Sequence, residues 1–220
     1  MTLDADLRRK VPALALGLVE AEQLQVQLHD PGLWTMLEEL GERLRVELKG
    51  KVAADRPEIA ATRRAYRALG DDPTRYRPAN EALLRRVLGM RALPQINTVV
   101  DINNYVSLAS GFAIGCYDVA TIGGAVTARA GRDGDQYAPI GKETVDATNR
   151  LVLADAHGIF GSPTADSQRT MVTPATHQVL FVIFGFESSQ AALAQAVDQV
   201  ADLLGRFCAA QILDRRVLSE

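Results

Sequence analysis

One segment constrains this chain more than any other: HQVLFVIFGF, residues 177–186, an apolar run bounded by Pro174 and Gly185. A strand with one wet face alternates apolar and polar residues, whereas an unbroken run fits a strand buried on both faces. Such a strand needs cover on each side, and the sequence supplies it. Leu33, Met36, Leu37, Leu40, Leu44 and Leu48 recur at three and four, which predicts an amphipathic helix ending near Gly50. Asp55-Arg56-Pro57-Glu58 opens a second helix, with Asp55 as cap and Gly70 as stop. Asn80 caps a third, NEALLRRVLGM, which stops at Gly89. INTVVDINNYVSLASG predicts a fourth, ending at Gly111. After residue 112 glycine and β-branched residues mix in short runs, and LVLADAHGIFG reads as two strands across Asp155 to Gly158.

At the start, residues 11–28 open on a short apolar run and then alternate at Leu24, Val26 and Leu28, which predicts one or two strands before the turn Asp30-Pro31-Gly32. At the end, Ser188 or Ser189 caps a long helix over about residues 188–214. The order is that of an α+β or layered α/β fold, one domain over residues 1–220.

Composition narrows the chemistry. The 220 residues carry a formal charge of −3, so a strongly basic nucleic-acid binder is not the first expectation. Cys116 and Cys208 are far apart, which excludes a zinc site or disulfide framework and fits two free thiols. No run approaches the ~18 apolar residues of a membrane span, and the N-terminus lacks the long apolar region of a signal peptide. The expectation is a cytoplasmic protein with no metal and no cofactor.

The average charge hides a local excess. Arg56, Arg63, Arg64, Arg67, Arg75, Arg77, Arg85, Arg86 and Arg91 crowd one stretch. They form either a solvated helix face with i,i+4 ion pairs or a phosphate-binding surface, since a guanidinium donates two parallel hydrogen bonds. Asn97, Asp101, Asn103, Asn104 and Tyr105 place polar groups inside an apolar helix, where Asn and Asp are poor residues. They tie the helix to a neighbour or line a ligand pocket. A second polar group, Asp166-Ser167-Gln168-Arg169-Thr170, precedes the buried strand. His157 and His177 lie in the strand-rich half and read as structural or as a displaced base.

Asn97 to Leu108 has the form N-x-x-V-D-x-x-N-Y-V-x-L, and AIGCYD follows at Ala113–Asp118. Together they resemble the central motif of the B3/B4 tRNA-binding domain, the editing module of the phenylalanyl-tRNA synthetase beta subunit. Asp72 to Arg86 and Ser167 to Thr173 are similar to segments of stand-alone members of that family, and the resemblance covers roughly residues 11–187. It implies a three-layer sandwich of two β-sheets and helices, with its core over that same span. It also implies tRNA or aminoacyl-tRNA as partner, no DNA and no membrane, and hydrolysis of misacylated tRNA. The alternative is a non-catalytic binder of an amino acid or small metabolite in the same pocket.

Carried over by position, Asn104 matches the family asparagine, and Asn103 stands where the synthetase has threonine. Gly115 falls at its active-site histidine, and Gln168 at the glutamate that reads a tyrosine hydroxyl. The implied pocket comprises Asn103, Asn104, Ala113, Gly115, Tyr117, Ser167, Gln168, Arg169 and Thr170. Arg75, Arg77, Arg85 and Arg86 would meet RNA phosphates. Glycine accepts no proton and glutamine does not ionise, so no catalytic residue is assigned. Hydrolysis would then rest on the substrate's ribose hydroxyl, oriented water and backbone N–H groups.

Overall fold

The structure, a computed structural model, describes residues 1–219. The apolar run forms β9 (Gln178–Phe186), an inner strand of a four-stranded sheet. On one side β9 pairs antiparallel with β2 (Leu14–Glu22), from Leu14↔Phe186 to Glu22↔Gln178. On the other it pairs with β3 (Ala113–Asp118), from Ala113↔Phe184 to Asp118↔Val179. The outer partner of β2 is β10 (Gln211–Leu218), giving the order β10-β2-β9-β3.

Both faces of β9 are covered, as its composition requires. Val179, Phe181 and Ile183 turn to two helices, α5 (Thr98–Ser110) and α6 (Gln190–Cys208), where they meet Val99, Ile102, Val106, Leu193, Val197 and Leu204. Val182, Phe184 and Phe186 turn the other way. They meet Ala128, Leu151, Leu153 and Phe160 of a second sheet, ordered β1 (Thr2–Leu3), β4 (Thr127–Ala130), β7 (Leu151–Asp155), β8 (Gly158–Gly161). The layers are therefore helices, sheet, sheet. Phe181 and Phe184 are fully enclosed, and each such ring contributes about 1.5–3 kcal/mol by leaving water. Helix α6 lies close on β2 because Gly17 has no side chain: a Cβ there would stand 2.7 Å from Val197 Cγ2.

The remaining helices buttress one end. Between α1 (Ala5–Lys10) and α5 come α2 (Pro31–Glu47), α3 (Pro57–Leu69) and α4 (Ala79–Leu88). Leu37, Leu40 and Leu44 of α2, Ile59 of α3, Leu84 and Val87 of α4 and Leu108 of α5 form a separate apolar cluster. A two-stranded ribbon, β5 (Gln136–Tyr137) with β6 (Val145–Asp146), completes the strands.

Several expectations are corrected. The strand expected within residues 11–28 is β2, but it stops before Leu24: Gln23 adopts a left-handed φ of 60°, and the chain turns out of the sheet. The closing helix ends at Cys208 rather than near 214, and Gln211–Leu218 is an edge strand. Asp55 accepts from Val52 N in a short turn and does not cap α3. Asn80 lies inside α4, where its Nδ2 donates to Gly111 O at 2.7 Å. The core also begins earlier than residue 11, since Leu3 and Leu7 are buried in it.

Candidate functional site

β3 is the edge strand of its sheet, so alternate backbone groups turn away from β9. Cys116 N–H is one of them, and it donates to Asp166 Oδ2 at 3.4 Å. The side chains of β3 alternate as well. Ile114 and Cys116 join the helix-facing core, whereas Ala113 and Tyr117 join the core between the sheets. Gly115 shares that inter-sheet face.

What fills the space beside Gly115 is the central observation. A Cβ built there would collide with the Tyr117 hydroxyl and stand 2.7 Å from Asp166 Oδ1. A Cβ on Gly161 of β8 would collide with the same phenol. Tyr117 is fully buried, packs edge-on against Phe160 at 4.9 Å, and its hydroxyl has no aligned hydrogen-bond partner. The residue at 166 keeps some exposed surface, but its carboxyl lies deep against β3. Burial pushes that carboxyl up to about 7, against the opposing pull of Tyr117 and of Cys116 N–H.

The loop carrying Asp166 is held by its own polar groups. Tyr137 Oη donates to Ala165 O at 3.0 Å, and Ile140 N donates to Asp166 O at 3.0 Å. Ser167 N donates to Phe160 O at 2.8 Å, and Thr170 Oγ1 donates to the same oxygen at 3.2 Å. Arg169 grips both Asp155 oxygens at 3.0 Å and donates to Thr121 O at 2.8 Å. Burial alone would raise Asp155, but Arg169 and the N–H groups of Gly123 and His157 outweigh it and hold the carboxyl below its ordinary value.

Of the nine pocket residues expected from the sequence, the structure thus brings Gly115 and Tyr117 together, with Asp166 added. Ser167, Arg169 and Thr170 scaffold the loop, Ala113 belongs to the core, and Gln168 is exposed. Asn103 and Asn104 sit on α5, with Oδ1 of the first and Nδ2 of the second buried and unpartnered. Asp101 is unpartnered at Oδ1 too, and burial raises its carboxyl to about 6 despite Ile96 N–H and His29. His157 is exposed against Gly123 and His177 is exposed before β9. Asp166, named in the sequence only as the first residue of the second polar group, is not among the pocket residues that the family resemblance implies. Its signal was a lone carboxylate at the head of a hydroxyl-rich segment.

The arginine stretch divides. Arg56 donates to Leu108 O and Ala109 O at the end of α5, and Arg63 pairs with buried Glu81 at 2.7 Å. Arg77 Nε lies 3.4 Å from Glu81 Oε1, and Arg86 Nε donates to Ala92 O. Arg75 and Arg85 point to solvent, Arg75 stacking over Tyr76 at 5.0 Å. A separate surface groove of about 860 Å³, lined by Trp34, Glu38, Met90 and Leu93 among others, includes none of the expected pocket residues. Among the described residues no group of three or more His, Cys, Asp or Glu could hold a metal, and no helix is long and apolar enough to cross a membrane.

Helices, a sheet and a second sheet, with a carboxyl seated on an unpaired strand edge, define an α+β domain with a polar site at that edge. The model of the B3/4 domain matches residues 61–208, more than half of the chain, and the chain belongs to that family. It is 32% identical over 105 residues to the phenylalanine–tRNA ligase beta subunit of Chromobacterium violaceum, and 33% identical over 115 residues to that of Novosphingobium aromaticivorans. These stretches cover 44% and 51% of this chain but only 13% and 14% of the relatives. An N-terminal fragment of the phenylalanyl-tRNA synthetase beta subunit from Pyrococcus horikoshii aligns with 96% of this chain and 49% of its own, at 15% identity and a TM-score of 0.49.

Proposed function

We propose that this B3/4 domain binds the aminoacylated end of tRNA and hydrolyses the ester of misacylated tRNA, with Asp166 as the base. The observation that carries the reading is the Asp166 carboxyl, whose Oδ1 stands 2.7 Å from where a Cβ at Gly115 would sit and whose Oδ2 accepts from Cys116 N–H on the unpaired edge of β3. The base missing at position 115 is replaced from a different segment. A carboxyl that ionises near neutrality is matched to general-base work, because about half of it is unprotonated at neutral pH and it is still basic enough to take a proton from water. Phosphates of the acceptor stem would meet Arg75 and Arg85, which position the RNA without reading its sequence.

A panel of mischarged tRNAs tests this. Wild type is expected to deacylate at least one member above buffer, and Asp166→Asn to slow that reaction about 100-fold or more. No deacylation across the panel refutes hydrolysis. If free amino acids then raise the melting temperature, the domain is a binder of small molecules instead.

A further inference from the structure

Gly115 on β3 and Gly161 on β8 leave a shared gap between the two sheets, and the phenol of Tyr117 fills it. Its oxygen and Asp166 Oδ1 both fall within the volume that one side chain at position 115 would occupy. A fully buried hydroxyl without a partner is disfavoured, and such a group calls for an explanation. The acceptor beside it is Asp166. The titratable groups facing that carboxyl are Cys116 and Tyr117 of β3, with Tyr137 of β5 next to the phenol, and none of them is a cation.

We propose that Tyr117 is a positioning residue whose hydroxyl donates to the Asp166 carboxylate, so that the pair replaces the side chain absent at Gly115. The phenol supplies a second donor to the enclosed anion beside Cys116 N–H, and it holds the carboxyl oriented on the strand edge. The pair rests on the packing alone; its use in catalysis rests on the hydrolytic reading above. In that use, an O–H bond of water breaks, the proton passes to Asp166, and the water oxygen bonds to the ester carbon; the ester C–O bond then breaks, and the ribose oxygen of the tRNA leaves with the proton returned from Asp166 while the amino acid departs with a free carboxyl. Tyr117 keeps its proton throughout.

The test is a carbon-13 carboxyl titration of Asp166 in wild type and Tyr117→Phe. Phenylalanine keeps the ring and its edge-on contact with Phe160. The Asp166 midpoint is expected to rise by about one pH unit in the variant, because a donor to the charged form has been removed. The acid limb of the deacylation profile is expected to move with it. Equal midpoints in the two proteins overturn the pairing, even if hydrolysis is observed. A shifted midpoint without hydrolysis supports the pair and refutes only its catalytic use. In Asp166→Asn the phenol carbon signal of Tyr117 is expected to stop responding to pH between about 5 and 9; a response that persists also overturns the pair.

Discussion

Replacing Asp166 by asparagine tests the site without any substrate. Asparagine keeps an acceptor for Cys116 N–H and removes the charge. In the folded protein the carboxyl titrates at about 7 against an ordinary 3.8. The sign follows from proton counting. Between these values the folded state holds a proton that the unfolded chain has released, so stability falls as pH rises through that window. The full effect is about three pH units at about 1.36 kcal/mol each, or about 4 kcal/mol above neutrality. Integrating the two titrations gives a cost of about 2 kcal/mol at pH ~5 and about 4 kcal/mol at pH ~8. Asp166→Asn is therefore expected to gain about 2–3 kcal/mol on wild type between those two conditions. Urea unfolding followed by circular dichroism at both pH values measures it. Asp101, raised to about 6, titrates in both proteins and cancels in the difference. A difference between variant and wild type that is the same at both pH values, within about 0.5 kcal/mol, refutes an enclosed carboxyl at Asp166.

Three further outcomes are expected. Gly115→Ala puts a Cβ into the space held by the Tyr117 phenol and should cost about 1–3 kcal/mol in calorimetry; adding Tyr117→Phe should return part of the loss. Asp155→Ala leaves Arg169 only carbonyl partners and loosens the loop before β9, so stability should fall by about 1–3 kcal/mol; an unchanged melting temperature would show that the ion pair anchors nothing. Arg75→Glu and Arg85→Glu should weaken tRNA binding and flatten its dependence on salt while the circular dichroism spectrum stays the same; an unaltered salt slope would place the RNA contact elsewhere.

The parts of the fold legible in the sequence were those whose burial is uniform. The run at 179–184 had to be covered on both faces, and α5 announced itself through its apolar spacing, with Asn97 accepting from Val100 N and Gly111 in a left-handed turn. The C-terminal strand was illegible because it is an edge. Its residues Asp214, Arg215 and Arg216 keep one side wet, and its pairing with β2 shifts register between Ile212 and Asp214. The alternation at Leu24–Leu28 was real but not a strand: Leu24 N bonds His177 O and Gln25 N bonds Cys208 O, so this stretch stitches the ends of two other elements. At the site, Gln168 holds the motif position that the family gives to a glutamate. The one-turn helix Gln168–Thr170 turns it outward, and Asp166, two residues earlier, meets β3. That exchange depends on a turn geometry that composition does not encode.

The ladder between β2 and β9 has a consequence for how the chain comes to be folded. It joins Leu14 to Phe186 and Glu22 to Gln178, so the innermost hydrogen bonds of the molecule link two ends of the sequence. During synthesis β2 has no sheet partner until β9 leaves the ribosome, and contacts this distant make folding slow. The stretch matched by the family model, 61–208, holds β9 but not β2 or β10. Expressed alone, it would leave one edge of its most apolar strand bare, an invitation to aggregate. The stretch that the family model matches thus omits two of the four strands of the sheet that contains β9.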